Sequence, residues 1–439
     1  VDRKSNTYRT ESAARERAVL VGLVTREAPS WRVEDYLDEL EQLADTAGAD
    51  VIERVVQERE RRDPAYMIGR GKAEELAQLA RYQDADLIVF DDDLTPTQAK
   101  NIEKLCGVKI MDRSGLILDI FAKHARTREA RTQVELAQLK YLLPRLTGQW
   151  RHLERQVGGI GVRGPGETQL EVDRRLIRKR VAVLEKELEK IAGQREIRRK
   201  NRRDFFKAAL VGYTNVGKST LLNALTNAGV LVEDRLFATL DATVRNLQLD
   251  SRRQILLIDT VGFIRKLPLH LVASFKSTLE ESADADLLLH VVDITHPNFA
   301  EQMTAVDRVL KELKLDGKPV LKVFNKIDLY DQPAVLSRLR ESEQPCVFIS
   351  AQRGIGLPQL ATRLGELADA TFITERLVVP LAMAARVPKL YEVVEVLGSQ
   401  YGESEIEVEI RFAASSEPRV RSQIGKIFNP DGENGTTSE

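Results

Sequence analysis

The chain has 439 residues, 43% of them hydrophobic and 30% charged, which points to a multidomain globular protein with ample cores and excludes a fibrous or wholly disordered chain. Its formal net charge of −1 hides a segregation: residues 122–203 carry 22 Lys and Arg against 10 Asp and Glu, so that a segment of net +12 sits in a remainder of −13. Only Cys106 and Cys346 are present, which excludes a disulfide framework or a cysteine-based metal cluster. No apolar run approaches a membrane span and no secretory signal is visible, so a cytoplasmic protein with no stable membrane anchor is expected. The opening Val in place of Met leaves the natural start undefined.

Residues 1–121 read as an N-terminal α/β domain. Strand-like runs at 18–24, 50–56, 87–90 and 108–111 alternate with helical stretches at 33–47, 72–82 and 95–105. Gly69-Arg70-Gly71-Lys72 resembles a phosphate loop only in part and is expected to be a turn capping a helix.

Residues 122–204 are expected to form a basic antiparallel helical hairpin. Leu136, Leu139, Leu143, Leu146, Trp150 and Leu153 recur at spacings of three and four, as do Ile177, Val181, Leu184, Leu188 and Ile191. Pro144 should kink the first arm. The tip, residues 158–166, holds Gly158, Gly159, Gly161, Gly164 and Gly166 with Arg163 among them, and Arg151 and Arg155 lie on the approach. A connector needs about one glycine, so this density suggests a backbone that passes close to a partner, with RNA phosphates or base faces as candidates. For the charge pattern alone a solvated helical face is the favoured account, and it is the shape of the segment that shifts the reading toward a polyanion.

Residues 205–372 carry the most specific signal. Ala208-Ala209-Leu210-Val211 feeds Gly212-Tyr213-Thr214-Asn215-Val216-Gly217-Lys218-Ser219, which fits G-x-x-x-x-G-K-[ST], and Thr220 opens a helical stretch. In such a loop backbone N–H groups surround phosphates, Lys218 supplies a positive charge to the outer phosphates, and the Ser219 hydroxyl is placed to ligate Mg²⁺. In Phe237-Ala238-Thr239-Leu240-Asp241, Thr239 is the candidate switch threonine reaching Mg²⁺, with Thr243 a local competitor. Asp259-Thr260-Val261-Gly262 closes an apolar strand; Asp259 is the expected outer-shell Mg²⁺ partner and the Gly262 amide the expected sensor of the γ-phosphate. Lys218, Thr239 and Gly262 are thus the candidate catalytic residues. Asn325-Lys326-Ile327-Asp328 follows another strand, and the Asp328 carboxylate can accept from guanine N1–H and the exocyclic amine, a donor pair adenine does not present. Ser350-Ala351, followed by Gln352, would complete the base pocket. The order of these motifs along the chain is that of a doubly wound, mostly parallel nucleotide-binding sheet, and GTP or GDP with Mg²⁺ is the expected ligand set.

Residues 373–428 read as a small C-terminal α+β domain, with a strand at 377–381, a helix from about Ala384 to Leu397 and an alternating strand at 405–412. Residues 429–439 are polar and expected to be disordered.

The stretch from Gly212 to Ala351 resembles a translation-factor-class GTPase domain. With the Gly158–Glu171, Asp112–Phe121 and Phe237–Asp241 stretches, the chain from about Ala18 to Ala370 resembles the HflX-type ribosome-associated GTPases. The resemblance implies association with the large ribosomal subunit and its rRNA, the glycine-rich tip probing the peptidyl-transferase region, and splitting or rescue of stalled ribosomes. Asn215 matches the asparagine that ligates K⁺ in some related GTPases, which makes K⁺ a candidate second cation. A monomer with no DNA partner is expected. The competing readings are a nucleotide-gated RNA-binding module with negligible turnover and a membrane-docked signalling GTPase, the latter disfavoured by the lack of lipidation signals.

Overall fold

A computed structural model of the chain describes residues 15–146, 165–200, 205–226, 236–237, 243–249, 254–266, 282–414 and 417–428. It forms two compact units. The first gathers Val1–Gly193, Val232–Ala242 and Thr260–Glu280; the second gathers Gln194–Leu231, Thr243–Asp259 and Glu281–Glu439.

In the first unit β1 (Glu16–Val24), β2 (Ala49–Glu58), β3 (Leu87–Phe90) and β4 (Lys109–Asp112) form an all-parallel sheet in the order β2-β1-β3-β4. Parallel strands require cover on both faces. The helices α1 (Ser30–Ala47), α2 (Arg70–Tyr82), α3 (Pro96–Cys106) and α4 (Arg113–His124) lie between or after the strands in sequence, and Val19, Leu20, Ile88 and Val89 are wholly buried. Local chemistry sets the helix starts. Thr95 and Gln98 form a capping box at α3, and the Asp112 carboxylate accepts from the Gly115 amide at α4. Gly69 is the N-cap of α2, its amide donates to Gln57 Oε1 at 2.8 Å, and Lys72 pairs with Glu75, so this stretch is the helix start that was expected. Burial pushes the Cys106 thiol up to about 11, which makes it an inert core side chain at neutral pH.

The basic segment supplies α5 (Arg128–Leu142) and α6 (Pro165–Lys200). They run antiparallel, since Arg128 pairs with Glu187 while Glu135 pairs with Arg180, and the expected seam residues Leu136 and Leu184 are buried. The first arm departs from expectation. It stops at Leu142 rather than kinking at Pro144, and residues 143–146 are turn. Pro144 has no N–H to offer the Lys140 carbonyl and its ring crowds the preceding turn. Tyr141 and Arg145 then fasten this end, both donating to the Asp112 carboxylate, at 2.7 and 2.6 Å. Gly166 lies within the first turn of α6, not in a tip loop. Arg151, Arg155, Gly158, Gly159, Gly161, Arg163 and Gly164, with Trp150 and Leu153, lie outside the described residues.

The second unit holds a six-stranded sheet in the order β10-β9-β8-β5-β7-β6. It is made of β5 (Phe206–Gly212), β6 (Thr243–Gln248), β7 (Gln254–Asp259), β8 (Leu287–Asp293), β9 (Val320–Asn325) and β10 (Cys346–Phe348), with β6 antiparallel to β7 and the other pairs parallel. α7 (Lys218–Thr226), α8 (Phe299–Glu312), α9 (Pro333–Ser342) and α10 (Leu357–Asp369) complete the α/β alternation. His290, in β8, which is buried from Leu287 to Val292, is pushed down to about 4 by burial, aided by the Lys322 and Lys218 charges, and is a neutral core residue at pH 7.

A separate antiparallel sheet of β11 (Phe372–Pro380), β12 (Glu395–Tyr401) and β13 (Glu405–Ala413), in the order β11-β13-β12, is accompanied by α11 (Glu417–Phe428). The inward side chains of β13, Ile406, Val408 and Ile410, are wholly buried, as their alternation predicts. The helix expected from Ala384 to Leu397 is absent. Residues Leu381–Glu392 form 3₁₀ turns around Pro388, and β12 begins at Glu395. Pro388 removes a helical donor, and the β-branched run Val393, Val394 and Val396 suits the pleat that β13 offers.

Candidate functional site

The carboxyl ends of the parallel strands put the motif residues side by side. Sheet register sets Leu210 beside Asp259, Gly212 beside Val291, and Asp293 beside Asn325. This is the edge at which open α/β sheets bind ligands.

Gly212-Tyr213-Thr214-Asn215-Val216-Gly217 makes a tight loop between β5 and α7. A Cβ on Gly212 would stand 2.3 Å from the Val291 carbonyl oxygen, and one on Gly217, whose φ is +94°, would stand 2.4 Å from Asn325 Nδ2. Lys218 is buried, and its Nζ donates to the Tyr213 carbonyl at 2.6 Å and the Gly212 carbonyl at 3.3 Å, so the ammonium is folded over the loop. The Thr214 hydroxyl is buried with no hydrogen-bond partner among the described residues, a polar group suited to a ligand oxygen. The Ser219 hydroxyl donates to Asp259 Oδ2 at 2.6 Å. Both are hard oxygen donors of the kind Mg²⁺ takes alongside phosphate oxygens, and an ion bound there would neutralise phosphate charge.

Burial pushes the Lys218 ammonium down to about 8, with the Asp259 carboxylate opposing the shift. Polyphosphate favours the charged form, so nucleotide binding should raise this pKa and take up a proton above about pH 8. GDP affinity is therefore expected to fall as the pH rises from about 8 to 10. Without nucleotide, this group's contribution to stability rises with pH over the same window, because the unfolded chain, near 10.4, binds the proton more tightly. Calorimetry in buffers of different ionisation enthalpy would register the uptake; Lys218→Ala should abolish it.

The residues expected to read the base gather beside the loop. Asn325 Nδ2 donates to the Val216 carbonyl at 2.8 Å while its Oδ1 accepts from the Ala351 amide at 2.9 Å, so one side chain ties the phosphate loop to the Ser350-Ala351 turn. Lys326, in the left-handed region at φ +67°, donates to the Asn215 carbonyl at 3.2 Å and pairs with Asp293 at 2.6 Å. Asp328 lies in the 3₁₀ turn Ile327–Leu329, its side chain 12% exposed, with Arg353 Nε at 3.9 Å. The Ser350 hydroxyl accepts from the Arg353 amide, and Gln352 is exposed. Sequence reasoning passed over Asp293 and Arg353. Asp293 could have been found as the polar residue ending the apolar run 287–292; Arg353 carries no local signal.

Thr260, Val261 and Gly262, all buried, follow β7 directly but group with the first unit. The Phe237 ring lies edge-on to Phe121, with centroids 4.7 Å apart, inside the first unit. Ala238, Thr239, Leu240 and Asp241 lie outside the described residues.

A phosphate loop after the first strand of a doubly wound sheet, a carboxylate beside its serine and an N-K-x-D turn tied to that loop define a P-loop GTPase. Family models match along the chain: residues 34–122 match the GTP-binding GTPase N-terminal family, 124–202 the GTP-binding GTPase middle region, and 207–326 the 50S ribosome-binding GTPase family. The chain belongs to the HflX GTPase family. It is 54% identical over 315 residues to the GTPase HflX of Flavobacterium psychrophilum, covering 72% of this chain and 76% of that one. It is 47% identical over 413 residues to the GTPase HflX of Caldanaerobacter subterraneus subsp. tengcongensis, covering 93% and 94%. A solved GTP-binding protein of Sulfolobus solfataricus in complex with GDP is 26% identical, with 81% of this chain and 99% of that chain covered and a TM-score of 0.43. The protein binds guanine nucleotides and hydrolyses GTP. Among the described residues no helix is long and apolar enough to cross a membrane.

Proposed function

We propose that this GTPase acts in the cytoplasm as a monomer that docks on the large ribosomal subunit in its GTP state and splits or rescues stalled ribosomes. The observation that carries the reading is the basic pair α5 and α6 in an otherwise acidic chain: Arg175, Arg178 and Lys179 project from α6 as exposed cations outside the α5–α6 ion pairs. A positive stripe of this kind is the footprint of a polyanion, and rRNA fits it. The match of residues 207–326 to the 50S ribosome-binding GTPase family supports the same partner. Lys218, Ser219 and Asp259 would hold the phosphates with Mg²⁺, Thr239 and Gly262 would respond to the γ-phosphate, and Asp328 would select guanine.

Slow intrinsic turnover is part of the reading. Phe263, buried directly after Asp259-Thr260-Val261-Gly262, occupies the place where many GTPases carry a glutamine that orients the attacking water. Isolated protein is therefore expected to hydrolyse GTP slowly and ribosomes to accelerate it, and Asn215 makes K⁺ stimulation the expected cation effect. Sedimentation with large subunits in GDP and in a non-hydrolysable GTP analogue, with turnover assayed alongside, tests it. Equal sedimentation in both states with no acceleration would remove the ribosomal reading. Binding in the GTP state with negligible turnover would favour a nucleotide-gated RNA-binding module instead.

A further inference from the structure

Within the second unit the phosphate loop is fixed at both ends. Gly212 stands so close to β8 that a Cβ there would meet the Val291 carbonyl oxygen at 2.3 Å. At the far end Asn325 Nδ2 donates to the Val216 carbonyl at 2.8 Å, and Lys326 Nζ donates to the Asn215 carbonyl at 3.2 Å. The loop therefore has a direction. Residues 215 and 216 are tied to the N-K-x-D turn, whereas the Tyr213 and Gly212 carbonyls accept from the Lys218 ammonium at 2.6 and 3.3 Å. In a loop of this pattern the lysine reaches the β- and γ-phosphates. The peptide joining Tyr213 to Thr214 is thus at the outer-phosphate end.

Thr214 brings to that end a polar atom with nothing to bind. The residue is 5% exposed, and its Oγ1 is buried with no hydrogen-bond partner among the described residues. Asn215, next in the chain, is exposed and turns the backbone at φ +60°, a left-handed conformation that asparagine tolerates. Valine has nearly the shape of threonine and would fill the Thr214 position without a buried hydroxyl, so packing alone gives no reason for the oxygen. A hydroxyl has one hydrogen to donate, and ionised phosphate oxygens are acceptors.

We propose that the Thr214 hydroxyl donates to a γ-phosphate oxygen of GTP and that this contact sets a preference for GTP over GDP. GDP has no γ-phosphate, so in the GDP state the hydroxyl keeps the cost of its burial. With GTP it gains a charge-assisted bond, roughly twice as strong as one between neutral groups, in a site shielded from water. The difference between the two states is available only to the triphosphate, which is what makes it a preference and not general affinity. This deepens the reading of the phosphate site given above and rests on placing Lys218 at the outer phosphates.

The test is a fluorescent-nucleotide titration, with Mg²⁺, of the full chain and of Thr214→Val, alongside thermal melts without nucleotide. Thr214→Val is expected to weaken binding of a non-hydrolysable GTP analogue by about ten- to a hundredfold while GDP affinity stays within about threefold. Its melting temperature without nucleotide should equal or exceed that of wild type, because the variant removes a buried polar group that no protein atom satisfies. Thr214→Ser restores the donor and should bring affinity for the analogue back to within about threefold of wild type, which a role in shape alone would not do. Equal losses for GDP and the analogue would put the hydroxyl on the β-phosphate and overturn the proposal. So would unchanged affinity for the analogue, or a lower melting temperature accompanied by loss of GDP binding. Lys218→Ala tests the underlying reading separately: it should weaken both nucleotides, and undiminished binding there would remove Lys218 from the outer phosphates whatever Thr214→Val showed.

Discussion

Replacing Asp328 by Asn is expected to lower GTP affinity by about thirty- to a thousandfold, the equivalent of about 2 to 4 kcal/mol for losing a charge-assisted donor pair in a shielded pocket. The carboxylate can accept from both guanine donors, whereas an amide offers one acceptor and places donors where the base also has donors. Xanthosine triphosphate, which presents a carbonyl at that edge, should gain correspondingly. The pocket gives reason to expect a clean result: Asp328 is 12% exposed in a short 3₁₀ turn, and the turn is held by the Asn325 bonds to Val216 and Ala351, which the substitution leaves untouched. Arg353, at 3.9 Å, would keep a neutral partner in place of an anion, so part of the loss would persist for any purine. Titration with both nucleotides measures the effect. Wild-type GTP affinity in the variant would remove Asp328 from the base-reading role.

Replacing residues 158–164 by a short polar connector is expected to abolish action on ribosomes while leaving GTP affinity within about twofold of wild type. The replacement stops before Pro165 because α6 begins there, so the ion pairs of Arg128, Glu135 and Lys140 with α6 remain. Converting Arg151, Arg155 and Arg163 together to Ala removes up to three phosphate contacts. On single-strand-like sites each contributes about 0.7 to the salt slope, so the slope of subunit binding should fall by about two. Binding across a salt series and subunit separation in a GTP gradient check the two variants. If both behaved as wild type, α5 and α6 would be a solvated brace.

The parts of the protein legible in the sequence are those whose chemistry is contiguous. The phosphate loop needs glycines, a lysine and a serine at fixed spacing along one turn, and the structure folds Lys218 over that loop and sets Ser219 against Asp259. The four parallel strands of the first unit announce themselves as short apolar runs between helices, and β13 as strict alternation, because burial on one or two faces imposes a period. Misreadings arose where local pattern and tertiary pairing disagree. The stretch 384–397 has a helical look, yet Pro388 and the partner strand β13 divide it into 3₁₀ turns and β12, and Pro144 ends α5 where a kink was expected.

What only the tertiary structure decided lies at long range. Phe237 reads as part of a nucleotide-switch motif, but its ring is taken up by Phe121, 116 positions earlier. Arg265 and Lys266 look like ordinary surface cations after a D-T-x-G strand, and nothing within 150 residues of them announces Asp35, Glu39, Asp91 or Asp92 as partners. Sequence periodicity reports how each segment meets water and core within a turn or a strand. It carries no term for which buried charge will face which other once separate segments close on one another, because that choice is set by the desolvation of the assembled cluster and not by any residue's neighbours in the chain.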